Sequence, residues 1–276
     1  DIDAIVSYGL RFNEICPEQF IVKVPYTPQG FIGARRLREK GVRINFTLEF
    51  SARQNALVTL VAKPDYLNVF LGRIGAFIAD NNLGDGTGAG ENAVLSSQSW
   101  VKRLCASNQW PTKQIAASLR NYTQLDLLAG TDVYTMPPKV AAAGRQSLTG
   151  IFNSRLGTHY DVPLNDTAKN LAIEKFWEVP QSVIEVGRSL DRNIPATGEE
   201  LVARVHEAGL VDMFPRLSKA DNERIAAEGK IPVISSWRDR IISGELAVDT
   251  MLTLAGIASF TADQRQLDER IRGIIG

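Results

Sequence analysis

The feature that most restricts the fold is a unit of short apolar strand, short loop and helix that recurs along the first half of the chain. Arg43–Leu48 alternates, with Ile44, Phe46 and Leu48 on one face and Asn45 and Thr47 on the other. Ser51 and Gln54 then have the spacing of a capping box, opening a helix through Leu57, Leu60 and Val61. Tyr66–Leu71 alternates again, Leu67, Val69 and Leu71 opposite Asn68 and Phe70, and ends in Gly72-Arg73. Ile21–Pro25 begins an earlier unit, followed by Thr27-Pro28, a helix through Phe31, Ala34 and Leu37, and a stop at Gly41. A helix through Val94, Trp100, Val101 and Leu104 leads to a fourth strand, Gln114–Arg120. In it Ile115, Ala117 and Leu119 are read as facing the helices, and Ala116, Ser118 and Arg120 as facing inward. A short helix with Leu125 and Leu128 stops at Gly130, and Val133–Met136 is a fifth strand broken by Pro137-Pro138. Strands alternating with helices across short loops specify a parallel sheet. The expected class is α/β, a (β/α)8 TIM barrel, in which one face of each strand meets helices and the other fills the barrel.

Lys23 is the residue this pattern does not explain. In Ile21-Val22-Lys23-Val24-Pro25 it falls on the face opposite Val22 and Val24. An inward lysine on an apolar strand is costly unless it is used, and desolvation would free its amine to attack a carbonyl. The plain alternative is a lysine at a strand end with its head in water. Lys23, Asn45, Thr47, Asn68, Ser118 and Arg120 together give four successive strands a polar inner face, the pattern of a ring around a substrate.

Composition narrows the function classes. Lys+Arg and Asp+Glu both number 31. This balance argues against a general nucleic-acid or membrane-surface binder. No apolar run approaches the ~20 residues of a membrane helix. Cys16 and Cys105 lie in no metal-ligand spacing and read as reduced thiols of a cytosolic protein. His159 and His206 have no partners at ligand spacing, so neither a zinc site nor a Ser-His-Asp triad is expected. The glycine-rich stretch Gly84–Gly90 lacks the strand–GxGxxG–helix context of a phosphate cradle and reads as a mobile loop. The character changes near residue 149, which divides a barrel-like segment, 1–148, from a helical segment, 149–276. After an irregular stretch from Gly144 to Pro163, helices are expected at Lys169–Val179, Gly198–Ala208, Lys219–Glu228 behind Ser218, and from Leu246 to Ile275. Phe176 and Trp177 read as core.

Several blocks carry a family resemblance. IVKVPYTPQGFIGARRLREKGVRINFTLEFS (21–51), NVFLGR (68–73), AASLRN (116–121), LAGTD (128–132) and, more weakly, 246–275 resemble transaldolases, lysine Schiff-base enzymes of the pentose phosphate pathway. The resemblance implies that Lys23 is the Schiff-base lysine and that Asn45 and Thr47 hold the carbinolamine and sugar hydroxyls. It implies that Arg73 and Arg120 bind the substrate phosphate, with Ser118 beside them. Phe70 falls where transaldolases carry Phe and fructose-6-phosphate aldolases carry Tyr. Many members have Ser-Pro before that Phe, where this chain has Asn68-Val69.

The expected reaction is transfer of a dihydroxyacetone unit from a ketose phosphate to an aldose phosphate. It uses sugar phosphates as partners and no metal or organic cofactor, because the imine is the electron sink. The reduced thiols point to a cytoplasmic location, and a second copy of the chain, as a homodimer, is among the expected partners. The rival readings are a class I aldolase that releases free dihydroxyacetone, and a silent barrel kept as a binding or assembly piece. About five strands are legible against the barrel's eight. In the family the lysine is on the fourth strand, so the chain is expected to hold about strands four to eight and to lack upstream units, with their proton-transfer aspartate and glutamate. Such an open sheet would expose an edge at Lys23 and an unfilled interior.

Overall fold

The computed structural model describes residues 1–275. Helix α1 (Ile2–Ile15) precedes five strand–helix units. These are β1 (Val22–Pro25) with α2 (Pro28–Glu39), β2 (Ile44–Thr47) with α3 (Ala52–Val61), and β3 (Tyr66–Phe70) with α4 (Leu71–Asp80) and α5 (Ala89–Asn108). Then come β4 (Lys113–Ala117) with α6 (Thr123–Leu127), and β5 (Val133–Thr135) with α7 (Pro138–Ser147). The strands form one parallel sheet in the order β1-β2-β3-β4-β5, an α/β architecture that matches part of a (β/α)8 barrel. Further on lie α8 (Gln181–Arg192), α9 (Gly198–Glu207), α10 (Lys219–Glu228), α11 (Arg238–Ile242) and α12 (Val248–Ile275).

Local chemistry sets the boundaries. Thr27 Oγ1 accepts from Gly30 N at 2.9 Å and Pro28 opens α2; Gly41, at φ +82°, ends it. Only half of the expected capping box forms at α3. Ser51 Oγ accepts from Gln54 N, but Gln54 Oε1 takes the N–H of Phe50 instead of that of Ser51. Lys219–Glu228 has the complete box, with Ser218 and Asp221 exchanging bonds.

Four expectations are corrected. Residues 169–179 form no α-helix, only short 3-10 turns at Ile173–Phe176 and just before at Asp166–Ala168. Helix α7 occupies what read as the edge of an irregular stretch, because Pro138 starts it at the first helical position. Gly84–Gly90 is not a free loop. Gly84 bridges Leu164, and a Cβ at Gly88 would lie 2.3 Å from the Asp161 carbonyl oxygen, so the stretch packs against residues 160–164. The fourth correction concerns β4. Its register pairs Asn68 with Ile115 and Phe70 with Ala117, so Ile115 and Ala117 share the inner face and Ala116 turns to the helices. The alternation then breaks. Ser118 has φ +68°, and this left-handed residue restores the expected facing beyond it: Leu119 is buried in the core and Ser118 and Arg120 look inward.

The core lies on the helix-facing side of the sheet. One apolar cluster joins Val24, Phe46 and Leu67 to α2, α3, α8 and α9 through Phe31, Leu57, Val183 and Leu201. A second joins Val69 and Ala116 to α4, α5 and α12 through Phe77, Val94 and Met251, and includes Phe176, fully buried, with Trp177 packed against it. A buried ionic cluster fixes the start of α12 to α3. The Arg53 guanidinium donates to both Asp249 oxygens at 2.8 and 2.7 Å and to Asp212 at 2.9 Å; Ser51 Oγ donates to Asp249, and Lys175 Nζ reaches Asp212 at 2.7 Å.

Candidate active site

The inner face of the sheet holds a cavity of about 390 Å³. Seven of the eight residues singled out in the sequence line it. β1 supplies Lys23, β2 Asn45, and β3 Asn68 and Phe70; α4 supplies Arg73, and the segment after β4 supplies Ser118 and Arg120. The register explains the convergence, since Lys23 pairs with Asn45 across parallel strands and same-face residues of neighbouring strands are adjacent. The strands β2 and β3 share only the pair Asn45 and Tyr66. Above it the Asn68 side chain spans the gap, donating to Asn45 Oδ1 at 2.8 Å and to the Phe46 carbonyl.

Thr47 is not on the cavity lining. It is buried, and its hydroxyl has no partner. Lys23 departs from the burial expected of it. It is on the inner face but exposed, because β1 is the edge of the sheet.

One end of the cavity is cationic. Arg73 stacks between two rings, its guanidinium carbon 5.6 Å from Phe70 and 5.7 Å from Phe260 of α12. Its Nη1 is buried with no hydrogen-bond partner among the described residues. Burial holds its pKa below the usual arginine value, the Arg120 charge adds to this, and Asp263 opposes it. A guanidinium that is desolvated, pressed against a like charge and short of an acceptor is arranged for an anion. Gly72 makes the close approach possible. A Cβ there would stand 2.2 Å from the Ser118 carbonyl oxygen and 2.6 Å from Arg120 Nε. Helix α4 begins directly after Phe70 with no side-chain cap, and Arg73 stands in its first turn.

Sequence reasoning missed Thr135 and Lys230, which also line this cavity. Lys230 follows α10, in a segment with no strand pattern. It missed Glu49 as well, which is fully buried with neither carboxylate oxygen in a well-formed hydrogen bond among the described residues. Burial pushes its pKa well up, against the Lys23 charge and the backbone N–H groups of Glu49 and Asn68. Among the described residues no group of His, Cys, Asp and Glu is arranged to hold a metal ion, and no helix is long and apolar enough to cross a membrane.

The Transaldolase/Fructose-6-phosphate aldolase family pattern matches residues 1–179. Similar proteins include the probable transaldolase of Thermus thermophilus, 37% identical over 143 residues, or 51% of this chain and 57% of that protein. The probable transaldolases of Phenylobacterium zucineum, 31% identical over 145 residues, and Aquifex aeolicus, 30% over 142, are matched over 60% and 58% of their lengths. The chain thus spans less than two thirds of these relatives.

Proposed function

Because the chain belongs to the Transaldolase/Fructose-6-phosphate aldolase family, we propose that its inner-face cavity carries out the lysine Schiff-base chemistry of a transaldolase. The Lys23 amine adds to the ketone of a ketose phosphate, and the carbinolamine loses water to give an iminium ion. Loss of the proton from the hydroxyl on the β-carbon, two carbons from the imine carbon, breaks the bond between that β-carbon and the α-carbon. An aldose phosphate leaves, and the electron pair stays on the three-carbon enamine attached to Lys23. That enamine then attacks an acceptor aldose phosphate, and hydrolysis returns the free amine. Asn45 and Asn68 hold sugar hydroxyls, and Arg73, Arg120 and Ser118 hold the phosphate at the far end. Thr47, behind the lining, supports the carbinolamine end only if the strand tips shift to bring its hydroxyl in.

The observation that supports this reading is the convergence of Lys23 with an amide pair and an unpaired arginine pair on one cavity. The test is borohydride reduction in the presence of fructose 6-phosphate, followed by peptide mass spectrometry. The expected outcome is a three-carbon adduct on the Lys23 peptide, absent in Lys23→Arg. Label on another lysine would refute the assignment. Phe70, which abuts Arg73, favours transfer. Release of free dihydroxyacetone without an acceptor would identify the aldolase reading instead.

A further inference from the structure

We propose that Lys230, which lies beyond the family-matched residues 1–179, is a third phosphate-binding cation of this cavity and makes the C-terminal segment a determinant of substrate specificity. The inference rests on the proposed function, since it takes the anion end of the cavity to be a phosphate site.

Three observations carry it. Lys230 lines the same cavity as Arg73 and Arg120. None of the three appears in an ion pair among the described residues, although thirteen such pairs form elsewhere. Lys230 is exposed at the rim of that cavity, and three cations around one cavity, none in an ion pair, leave it with a net positive charge that an anion would offset. A phosphate dianion offers enough acceptor oxygens for all three.

The second observation is that the position of Lys230 is built. Gly229 ends α10 at φ +80° and ψ −146°, a conformation essentially reserved for glycine, and so turns the chain sharply before Lys230. The Glu228 carboxylate is taken up by Val233 N at 2.9 Å and Trp237 Nε1 at 3.0 Å, which leaves it committed away from the neighbouring lysine.

The third is that the segment is tied to the helix that begins the anion site. Asn81, at the end of α4, donates to the Pro232 carbonyl at 3.0 Å and accepts from Ile234 N at 2.7 Å. Arg73 is in the first turn of α4. One rigid helix thus carries the arginine at its start and clamps the lysine-bearing segment at its end. Asn81 is a positioning residue and Lys230 a binding residue.

The experiment is a calorimetric titration of the 276-residue chain with inorganic phosphate, using the parent, Lys230→Met, Lys230→Arg, Asn81→Ala and Arg73→Ala. Loss of one charged hydrogen bond predicts about tenfold weaker binding for Lys230→Met, with Lys230→Arg within about twofold of the parent. Asn81→Ala should weaken phosphate binding partway. Lys23 labelling by unphosphorylated dihydroxyacetone and borohydride should be unchanged in Lys230→Met, which separates phosphate recognition from damage to the fold. Parent-like affinity in Lys230→Met together with loss in Arg73→Ala would overturn the inference and leave the proposed function standing. Absence of phosphate binding by the parent, or no effect of Arg73→Ala, would overturn the anion assignment on which both depend.

Discussion

Glu49 shows how one residue can put a pH dependence into the fold. A buried carboxyl whose desolvation outweighs the nearby N–H groups and the Lys23 charge holds its proton more tightly in the folded chain than in the unfolded chain, where its value is near 4.5. The unfolded state therefore releases that proton first as pH rises. Stability falls from about pH 4.5 upward until the folded group also ionises. Glu49→Gln stays neutral throughout. It should match the parent near pH 4 and exceed it by about 1–3 kcal/mol at pH 8, in thermal or urea unfolding. A variant no more stable than the parent at pH 8 would show that the carboxylate is compensated. In the sequence Glu49 is only a charge following Thr47 and Leu48, and its burial is a property of the folded chain that strand alternation does not announce. The same limit applies to Lys230. By contrast Lys23, Asn45 and Asn68 were legible because strand alternation and parallel pairing are local rules, and these hold here.

Among the elements, α3 and α12 depend on one another through Arg53. Its guanidinium is 2% exposed and serves both Asp249 and Asp212. Burial alone would raise the Asp212 pKa, but the Arg53 charge and the Lys175 bond bring it below the usual 3.8. That stability is present above the unfolded value and is lost as pH falls through the folded one. Arg53→Met would leave the buried Asp249 with no counter-charge and Asp212 with Lys175 alone, and should cost about 3–5 kcal/mol, read as a lowered urea midpoint at pH 7. A cost under about 1 kcal/mol would mean that water reaches the cluster. Boundaries marked by caps were readable in advance, as at Thr27-Pro28 and Ser218. The facing of β4 was not, because the left-handed Ser118 reverses the alternation between Ala117 and Leu119 and no glycine or asparagine there announces it. Residues 169–179 have helical apolar spacing, but Ala172 is itself left-handed at φ +51° and divides the stretch into separate turns.

For the whole molecule, the open side of the sheet governs solution behaviour. Strand β1 is bonded on one side only, and the groove beside it is walled by α1, where Tyr8, Phe12 and Ile15 are 59%, 52% and 65% exposed. An exposed strand edge next to apolar side chains promotes pairing with another chain. The 276-residue chain by itself should associate with rising concentration, seen as a concentration-dependent mass in analytical ultracentrifugation. Phe12→Lys should shift it toward monomer without lowering its melting temperature. Monomer at all concentrations for the parent would show that this face is covered in solution.

The stacking of Arg73 between Phe70 and Phe260 also bears on the order in which the site forms. The end of the cavity at Lys23, Asn45 and Asn68 draws on residues 23 to 68, closed by short loops, whereas the end at Arg73 includes a contact between residue 73 and residue 260. Long loop closures are slow because their entropy must be spent before the contact repays it. During synthesis on the ribosome, Lys23 and its amide neighbours can meet while half the chain is still unmade. The arginine end is expected to complete later, when α12 docks, so a chain that stops short of that helix should keep the Lys23 end and lose the ring that flanks Arg73 from the far side.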